Sequence, residues 1–277
     1  MRFRRIVAAL DTARPAALGT AIGLARALEA ELVGLFVEDA ELLDLAALPF
    51  GEVGYLSPMR RELDVGRMER GLRAKARRIE QQLGSHLAGL PVKWSFEVVR
   101  GRFAAAVTTI ATADDIVVVA TPHGATIGSG RGADLAQVFR ALRSPVLVVR
   151  DPLPAAGRLA VIVMQRSPDE AARAIAAFAP SHGNSALIAL EGREEEEPQP
   201  GMHDLERMLA SRGVRVGTRV LPRRTRASLE RLLAEEPQAV VVVTAGSREA
   251  RSELLDLLPC PVLVLPELAP DATDERR

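Results

Sequence analysis

Residues 115–150, DIVVVATPHGATIGSGRGADLAQVFRALRSPVLVVR, read in order as a strand, a glycine-rich turn, a helix and a second strand. The apolar run Ile116–Val119 is too short for a helix core and is typical of a strand buried on both faces. A helical pattern of apolar residues precedes the second apolar run, Val146–Val149. Four glycines fall within nine residues between the first strand and that helix: Gly124, Gly128, Gly130 and Gly132.

The glycine-rich turn is a candidate phosphate site. In parallel α/β sheets, phosphates bind where the carboxyl end of a strand leads into glycines and a helix start. Free backbone N–H groups and the positive end of the helix dipole both face that loop. The loop alone fits a ligand-free surface turn equally well.

Composition narrows the class of protein. Of 277 residues, 48% are hydrophobic and 3% aromatic, which predicts a core of small aliphatic side chains. Lys+Arg and Asp+Glu are equal at 36, so the basic excess of a general nucleic-acid binder is missing. The single cysteine, Cys260, excludes an intrachain disulfide. No run approaches the roughly 20 apolar residues of a membrane span. We therefore expect a soluble, cytoplasmic protein with neither nucleic acid nor membrane as partner.

Alternating patterns before residue 115 complete the first half. Strand, helix and loop signals predict the order β-α-β-α-β-α-β-α-β across residues 1–150. That order gives a parallel five-stranded sheet with helices on both faces. The predicted elements before the quoted stretch are strand 5–11, helix 16–30, strand 31–37, helix 65–87, strand 91–99 and helix 101–113.

The second half repeats the first after a linker, DPLPAAG, at 151–157. The repeat predicts two tandem α/β domains, 1–150 and 158–267, followed by a charged tail, 268–277. On this interpretation each domain has its own sheet, and a single continuous sheet would count against it. The matching segments are 4–25 with 157–179, 33–39 with 186–192, 115–121 with 238–244, and 144–150 with 260–266.

The two copies differ where a ligand would bind. Asp11 corresponds to Met164, and the glycine-rich segment is about seven residues shorter in the second copy. The irregular stretch 40–63 shrinks to GREEEEPQPG at 192–201. A small-molecule pocket is therefore expected in the first copy, with the alternative that neither copy has one.

Other chemistry-bearing residues give no catalytic or metal pattern. The four histidines have no metal-type spacing, and neither a nucleophile elbow nor a nucleotide-binding lysine loop is present. His123, beside the glycine-rich loop, is most simply an exposed turn residue. The predicted helix 65–87 is rich in arginine, which favours a solvated face over an anionic partner.

With the repeat, the chain resembles the universal stress protein family in its tandem form. The resemblance covers nearly all of residues 1–267. It implies an adenine-nucleotide-α-hydrolase-like fold and a stress-response, regulatory function, with ATP bound in one subset of members and not in another. It rests on the first strand ending in Asp11, LFVED at 35–39, DIVVVATPHG at 115–124, and PVLVV at 145–149, echoed by PVLVL at 261–265.

The resemblance also implies binding residues. The family's ATP pattern, G-x2-G-x9-G-[ST], falls on Ala120, Gly124, Gly132 and Ala133, with an insertion at Pro122 and a spacer of seven. Ala133 lacks the hydroxyl that would bind phosphate, whereas Ser129 and Arg131 lie within or next to the loop. Asp11 would accept hydrogen bonds at the nucleoside end, or cap the following helix, and the backbone at Val37 would meet adenine. The full candidate set is Asp11, Val37, Ala120, Gly124, Ser129, Gly130, Gly132 and Ala133.

Assembly and function follow from the same resemblance. The closing strands at 145–149 and 261–265 are apolar edges that invite pairing, and in single-domain relatives this strand forms the dimer contact. We expect an intramolecular pseudo-dimer, with further homodimerisation open. Three functions remain: a non-enzymatic stress regulator that binds adenine nucleotide, a ligand-free interaction module, and a slow nucleotide hydrolase, for which no general base is identified.

Overall fold

A computed structural model describes most of both halves of the chain. The described residues are 3–10, 15–40, 43–44, 65–121, 131–149, 158–162, 172, 175–176, 179, 185–191, 202–221, 226–235, 238–243 and 262–264. The linker 151–157 and the tail 268–277 lie outside them.

Strands and helices alternate through the described residues. Within these, the strands are β1 (Arg5–Ala9), β2 (Glu31–Asp39), β3 (Trp94–Gly101), β4 (Asp115–Ala120), β5 (Val146–Val149), β6 (Arg158–Ile162), β7 (Ser185–Glu191), β8 (Arg215–Leu221), β9 (Gln238–Val243) and β10 (Val262–Val264). The helices are α1 (Pro15–Leu28), α2 (Val65–Leu87), α3 (Phe103–Ile110), α4 (Arg131–Ala141), α5 (Met202–Ser211) and α6 (Arg226–Glu235). The predicted order is confirmed for the first half, with element ends shifted by a few residues.

The strands form one ten-stranded sheet in the order β3-β2-β1-β4-β5-β10-β9-β6-β7-β8. All neighbours within each half are parallel, whereas β5 and β10 pair antiparallel, with Leu147 opposite Leu263. Each half is a five-stranded parallel sheet, and the two halves have the same strand order. This confirms the predicted fold class. The expectation of separate sheets is wrong, because pairing two edge strands necessarily merges the sheets that they close.

Helices cover both faces of the sheet, because strand side chains alternate between two apolar cores. On one face, Ile6 and Ile116 pack in a core with residues of α1, α2 and α5. On the other face, Val7 and Val117 pack with residues of α3, α4 and α6. The β4 run is buried at every position, as expected of a strand between two helical layers.

Strand register corrects the alignment of the two copies at their second strands. Ile6 lies opposite Leu32, and its counterpart Leu159 lies opposite Ala186. Leu32 therefore corresponds to Ala186, whereas the sequence repeat matches Val33 with Ala186. A one-residue slip moves every side chain to the other face. Burial agrees with the structural register, because Leu32 and Ala186 share one core.

Gly34 allows α2 to approach β2 closely. A Cβ atom at Gly34 would lie 2.8 Å from Leu83 Cδ2, 3.0 Å from Phe96 Cδ2 and 3.2 Å from Leu10 Cδ1. These distances are shorter than ordinary carbon contacts, so the missing side chain at Gly34 is what lets Leu83 bury itself against the sheet. The position of α2 thus depends on a glycine in the second strand.

Candidate functional site

The strand order places the switch point of the first-half sheet between β1 and β4. These two strands are neighbours and parallel, with Ala9 opposite Val119 near their carboxyl ends. The chain leaves β1 towards α1 on one face and leaves β4 towards α4 on the other. In open α/β sheets, the carboxyl edge of such a switch point is a crevice that binds ligands, and this position is called here the β1–β4 crevice.

Of the predicted site residues, the structure describes Val37, Ala120, Gly132 and Ala133. Ala120 ends β4 and is 8% exposed. Gly132 and Ala133 lie in the first turn of α4. The helix therefore begins next to the predicted anion site, with its positive dipole end at its N-terminus. The remaining candidates, Asp11, Gly124, Ser129 and Gly130, lie outside the described residues, as does His123.

Val37 lies in the part of β2 that extends beyond β1. The β1–β2 pairing ends with Ala9 opposite Leu35, and Leu10 N donates to Leu35 O at 2.8 Å. On its other side, Val37 pairs with Val99 of β3. Within the described residues, no strand therefore lies beside Val37 on the β1 side. This places a backbone edge beside the crevice, as recognition of a base by main-chain atoms requires.

An ion-pair network next to Val37 was not identified from the sequence. Arg100 Nε donates to Glu38 Oε2 at 3.1 Å, and Arg100 Nη1 donates to Glu69 Oε1 of α2 at 3.0 Å. The Glu38 hydrogen bond, followed by the Glu69 one, raises the pKa of Arg100. Glu38 is only 7% exposed, so Arg100 neutralises a buried carboxylate beside the site. Opposite charges at the ends of two adjacent parallel strands were the available sequence signal.

Thr121 is a second residue that sequence reasoning missed. It follows Ala120 directly, and its N–H donates to Val149 O at 3.0 Å. Its Oγ1 is buried and has no hydrogen-bond partner among the residues that the structure describes. A buried hydroxyl without a partner is uncommon in folded proteins. The end of β4 therefore offers an unused donor and acceptor beside the crevice.

The amino edge of the same two strands carries a different charged cluster. Arg5 donates to Asp115 through Nε at 3.0 Å and through Nη2 at 2.7 Å. The N–H and Oγ1 of Thr112 donate to Asp115 Oδ2 at 2.7 and 2.9 Å. Burial alone would raise the pKa of Asp115, but the hydrogen bonds from Arg5 and Thr112 outweigh it and lower that pKa. Arg5 Nη2 also donates to Ile110 O at 3.0 Å, which ties the amino edge to α3.

That cluster is structural and not a second ligand site. Asp115 is fully buried, and its carboxylate accepts four hydrogen bonds from within the protein. A nearby surface depression, lined by Arg26, Glu29, Pro91 and Lys93 among others, lies at the same amino edge, far from the crevice. Neither is on the side of the sheet where parallel strands bind ligands.

The described part of the chain was compared with the requirements of a metal site and of a membrane-spanning helix. No group of three or more His, Cys, Asp or Glu side chains there is arranged to hold a metal ion. Among these same residues, no helix has the length and apolar character needed to cross a membrane.

Comparisons of sequence give no match: no protein-family model matches the chain, and no curated protein matches it. Comparison of structure does. A universal stress protein from Archaeoglobus fulgidus DSM 4304 is 12% identical, with a TM-score of 0.70, and the match covers 96% of this chain and 97% of that one. A putative universal stress protein from Pseudomonas aeruginosa UCBPP-PA14 is 14% identical, with a TM-score of 0.56 and coverage of 95% and 93%.

The same fold also occurs in a domain of a transport protein. The cytoplasmic domain of a prokaryotic cation chloride cotransporter is 12% identical, with a TM-score of 0.51 and coverage of 95% of each chain. At these identities the likeness concerns the fold. The chain therefore has the two-halved fold found in universal stress proteins along almost its whole length, which confirms the structural part of the resemblance.

Proposed function

We propose that this chain, whose fold is that of the universal stress proteins, is a tandem stress-response protein that binds an adenine nucleotide in its first half. One observation carries the proposal: the β1–β4 crevice, where adjacent strands send the chain to opposite faces of the sheet. In the sequence, Asp11 follows the end of β1 by two residues, and the glycine-rich segment follows β4.

Three features of the described residues support a nucleotide as the ligand. The overhang of β2 at Val37 offers main-chain atoms to a base. The first turn of α4 offers N–H groups and a positive dipole end to phosphate. The residue after β4, Thr121, has a buried Oγ1 without a partner among the described residues. A nucleotide has a base at one end and negatively charged phosphates at the other, so it matches these features.

The second half is proposed as a partner module without its own ligand. In the sequence, Met164 stands where the first half has Asp11, and the segment after β9 is shorter than the glycine-rich segment after β4. The antiparallel β5–β10 pairing supports the interpretation that the second half completes an intramolecular pseudo-dimer.

A ligand-free interaction module is the second candidate function. It is favoured by Ala133, because the family's phosphate-binding hydroxyl is missing from the first turn of α4. A slow nucleotide hydrolase ranks last among the candidates, because the sequence gives no residue in the role of a general base. A slow hydrolase would show phosphate release from ATP that is lost in the Asp11→Ala variant.

The test is nucleotide binding by calorimetry and thermal unfolding with ATP, ADP and AMP in the presence of Mg²⁺. A nucleotide present at 100 times its dissociation constant should stabilise the fold by about 2.7 kcal/mol. Asp11→Ala should abolish this stabilisation without lowering the stability of the free protein by a similar amount. Met164→Ala, at the corresponding position of the second half, is the matched control and should leave binding unchanged.

Two results would reject the nucleotide proposal. One is the absence of any heat or stability change with all three nucleotides, which favours the ligand-free module. The other is binding that Asp11→Ala leaves intact and Met164→Ala removes, which would place the site in the second half.

A further inference from the structure

The solvent side of α2 carries a strip of positive charge. Helical periodicity buries one side of α2 against the sheet through Ala76, Ile79, Leu83 and Leu87. Arginines occupy the opposite arc, and the two acidic residues, Glu69 and Glu80, lie at its flank. The strip, called here the α2 arginine face, consists of the exposed residues Arg67, Arg70, Arg73, Arg77 and Arg78.

Folding alone does not account for this face. Arg73 pairs with Glu69 at 3.6 Å, and Arg70 Nε donates to the backbone Gly66 O at 3.1 Å. Within the described part of the chain, Arg70, Arg77 and Arg78 contact no carboxylate. Arg70–Arg73 and Arg73–Arg77 are spaced three and four residues apart, where like charges repel each other. Among the described residues, this repulsion is one that an anionic partner would relieve.

The same chain contains a segment of matching opposite charge. Glu194–Glu197 are four consecutive glutamates in the stretch that follows β7. Arginine pairs with carboxylates in a two-bond fork that favours it over lysine at protein contacts. Equal totals of acidic and basic residues, 36 each, disfavour a long polyanion such as nucleic acid, because the remaining acidic surface would repel it.

Geometry prevents this pairing within one molecule. α2 packs on β2, and the acidic segment starts from the end of β7, seven strand positions away in the sheet. At about 4.8 Å per strand, that separation is about 34 Å. Glu197 is six residues beyond Glu191, so it reaches at most about 20 Å. The acidic segment can therefore meet an α2 arginine face only on another molecule.

We propose that the α2 arginine face binds residues 194–197 of a second copy of this chain. Each copy has one basic face and one acidic segment, so a two-fold dimer forms both contacts at once. This interface is separate from the β5–β10 pairing and from the β1–β4 crevice. It stands whether or not the first half binds a nucleotide.

The test is sedimentation equilibrium of the full chain at about 50 mM NaCl, where exposed ion pairs are weakly screened. The wild type should associate to dimers. R70Q/R77Q/R78Q should weaken association at least about tenfold, since it removes three exposed arginines from each of the two contacts in the dimer. R26Q/R143Q/R212Q removes the same charge from exposed arginines elsewhere and should keep the wild-type constant.

Reversing the charges on each side of the proposed interface gives the decisive experiment. R70E/R77E/R78E and E194K/E195K/E196K/E197K should each be monomeric, and their equimolar mixture should form heterodimers. A monomeric wild type, full association of R70Q/R77Q/R78Q, or a mixture that stays monomeric would overturn the proposal. So would binding of a single-stranded oligonucleotide that depends on Arg70, Arg77 and Arg78 while self-association does not.

Discussion

The two halves have the same strand order but place charge differently on equivalent strands. At the amino edge, Arg5 lies opposite Asp115 in the first half, and Arg158 lies opposite Gln238 in the second. The cation is kept, whereas its partner is an acid in one half and a neutral amide in the other. In the second half the register shifts between Arg158 and Leu159, so Gln238 lies at an irregularity of the sheet.

The carboxyl edges of the two half-sheets also differ in their charged residues. In the first half, β2 ends with Glu38 paired to Arg100 of β3. In the second half, the residues directly after β7 and β8 are Gly192 and Pro222. The first half thus has fixed charges on both edges of its sheet. Both charged pairs lie in the half that carries the candidate site, and variants can measure how much each contributes to stability.

Asp115→Gln, which copies Gln238, should have the largest effect. It leaves the Arg5 guanidinium, 29% exposed, without its anion and removes an acceptor of four hydrogen bonds. We expect a loss of about 3 kcal/mol in the free energy of unfolding, measured in urea. Gln238→Asp is the converse variant. A stability change below about 1 kcal/mol for Asp115→Gln would show that the pair is dispensable in both halves.

Gly34→Ile, which copies its structural counterpart Ile188, should follow. The new side chain would meet Leu83 and Phe96 at distances too short for carbon contacts. Overpacking of this kind costs about 2–3 kcal/mol. Gly23→Ala, with open space around its Cβ position, should not destabilise the fold. Partial recovery in Gly34→Ile/Leu83→Ala would confirm that α2 is what the glycine accommodates, and no recovery would contradict it.

The ionised carboxylate of Asp115 should make the stability of the protein depend on pH. The folded state lowers the pKa of Asp115 from its usual 3.8, so the ionised carboxylate stabilises the fold. This contribution is fully present above the usual pKa and disappears as the pH falls through the lowered one. Urea midpoints measured from about pH 6 to 2 should fall less steeply in Asp115→Asn than in the wild type. Equal slopes would show that other carboxylates dominate acid unfolding.

The smallest effect is expected at the carboxyl edge. Arg100→Gln leaves the buried Glu38 without a cation, whereas Glu69→Gln removes only the outer pair. Arg100→Gln should therefore lower the melting temperature more than Glu69→Gln, and both less than Asp115→Gln. If the two variants unfold together, Glu38 does not depend on Arg100.

Much of the fold was predictable from local patterns. The runs at Ile116–Val119 and Val146–Val149 are strands with nearly the expected ends, and Pro15 begins α1. Asp11 and the glycine-rich loop lie outside the described residues and stay predictions, which rest on the alignment of strand ends at one edge of a parallel sheet. Thr121 and the Glu38–Arg100 pair were missed, since their significance depends on burial and on a neighbour distant in sequence.

By itself, the sequence determined which segments are strands, that they run parallel within each half, and that the second half repeats the first. Periodicity and connection length encode these properties locally. Only the tertiary structure decided that Leu32 corresponds to Ala186, that the two sheets merge through β5 and β10, and that Arg5 meets Asp115 from 110 residues away. A strand pattern repeats every two residues, so it cannot fix its own register or choose its neighbour, and packing of the whole sheet makes both choices.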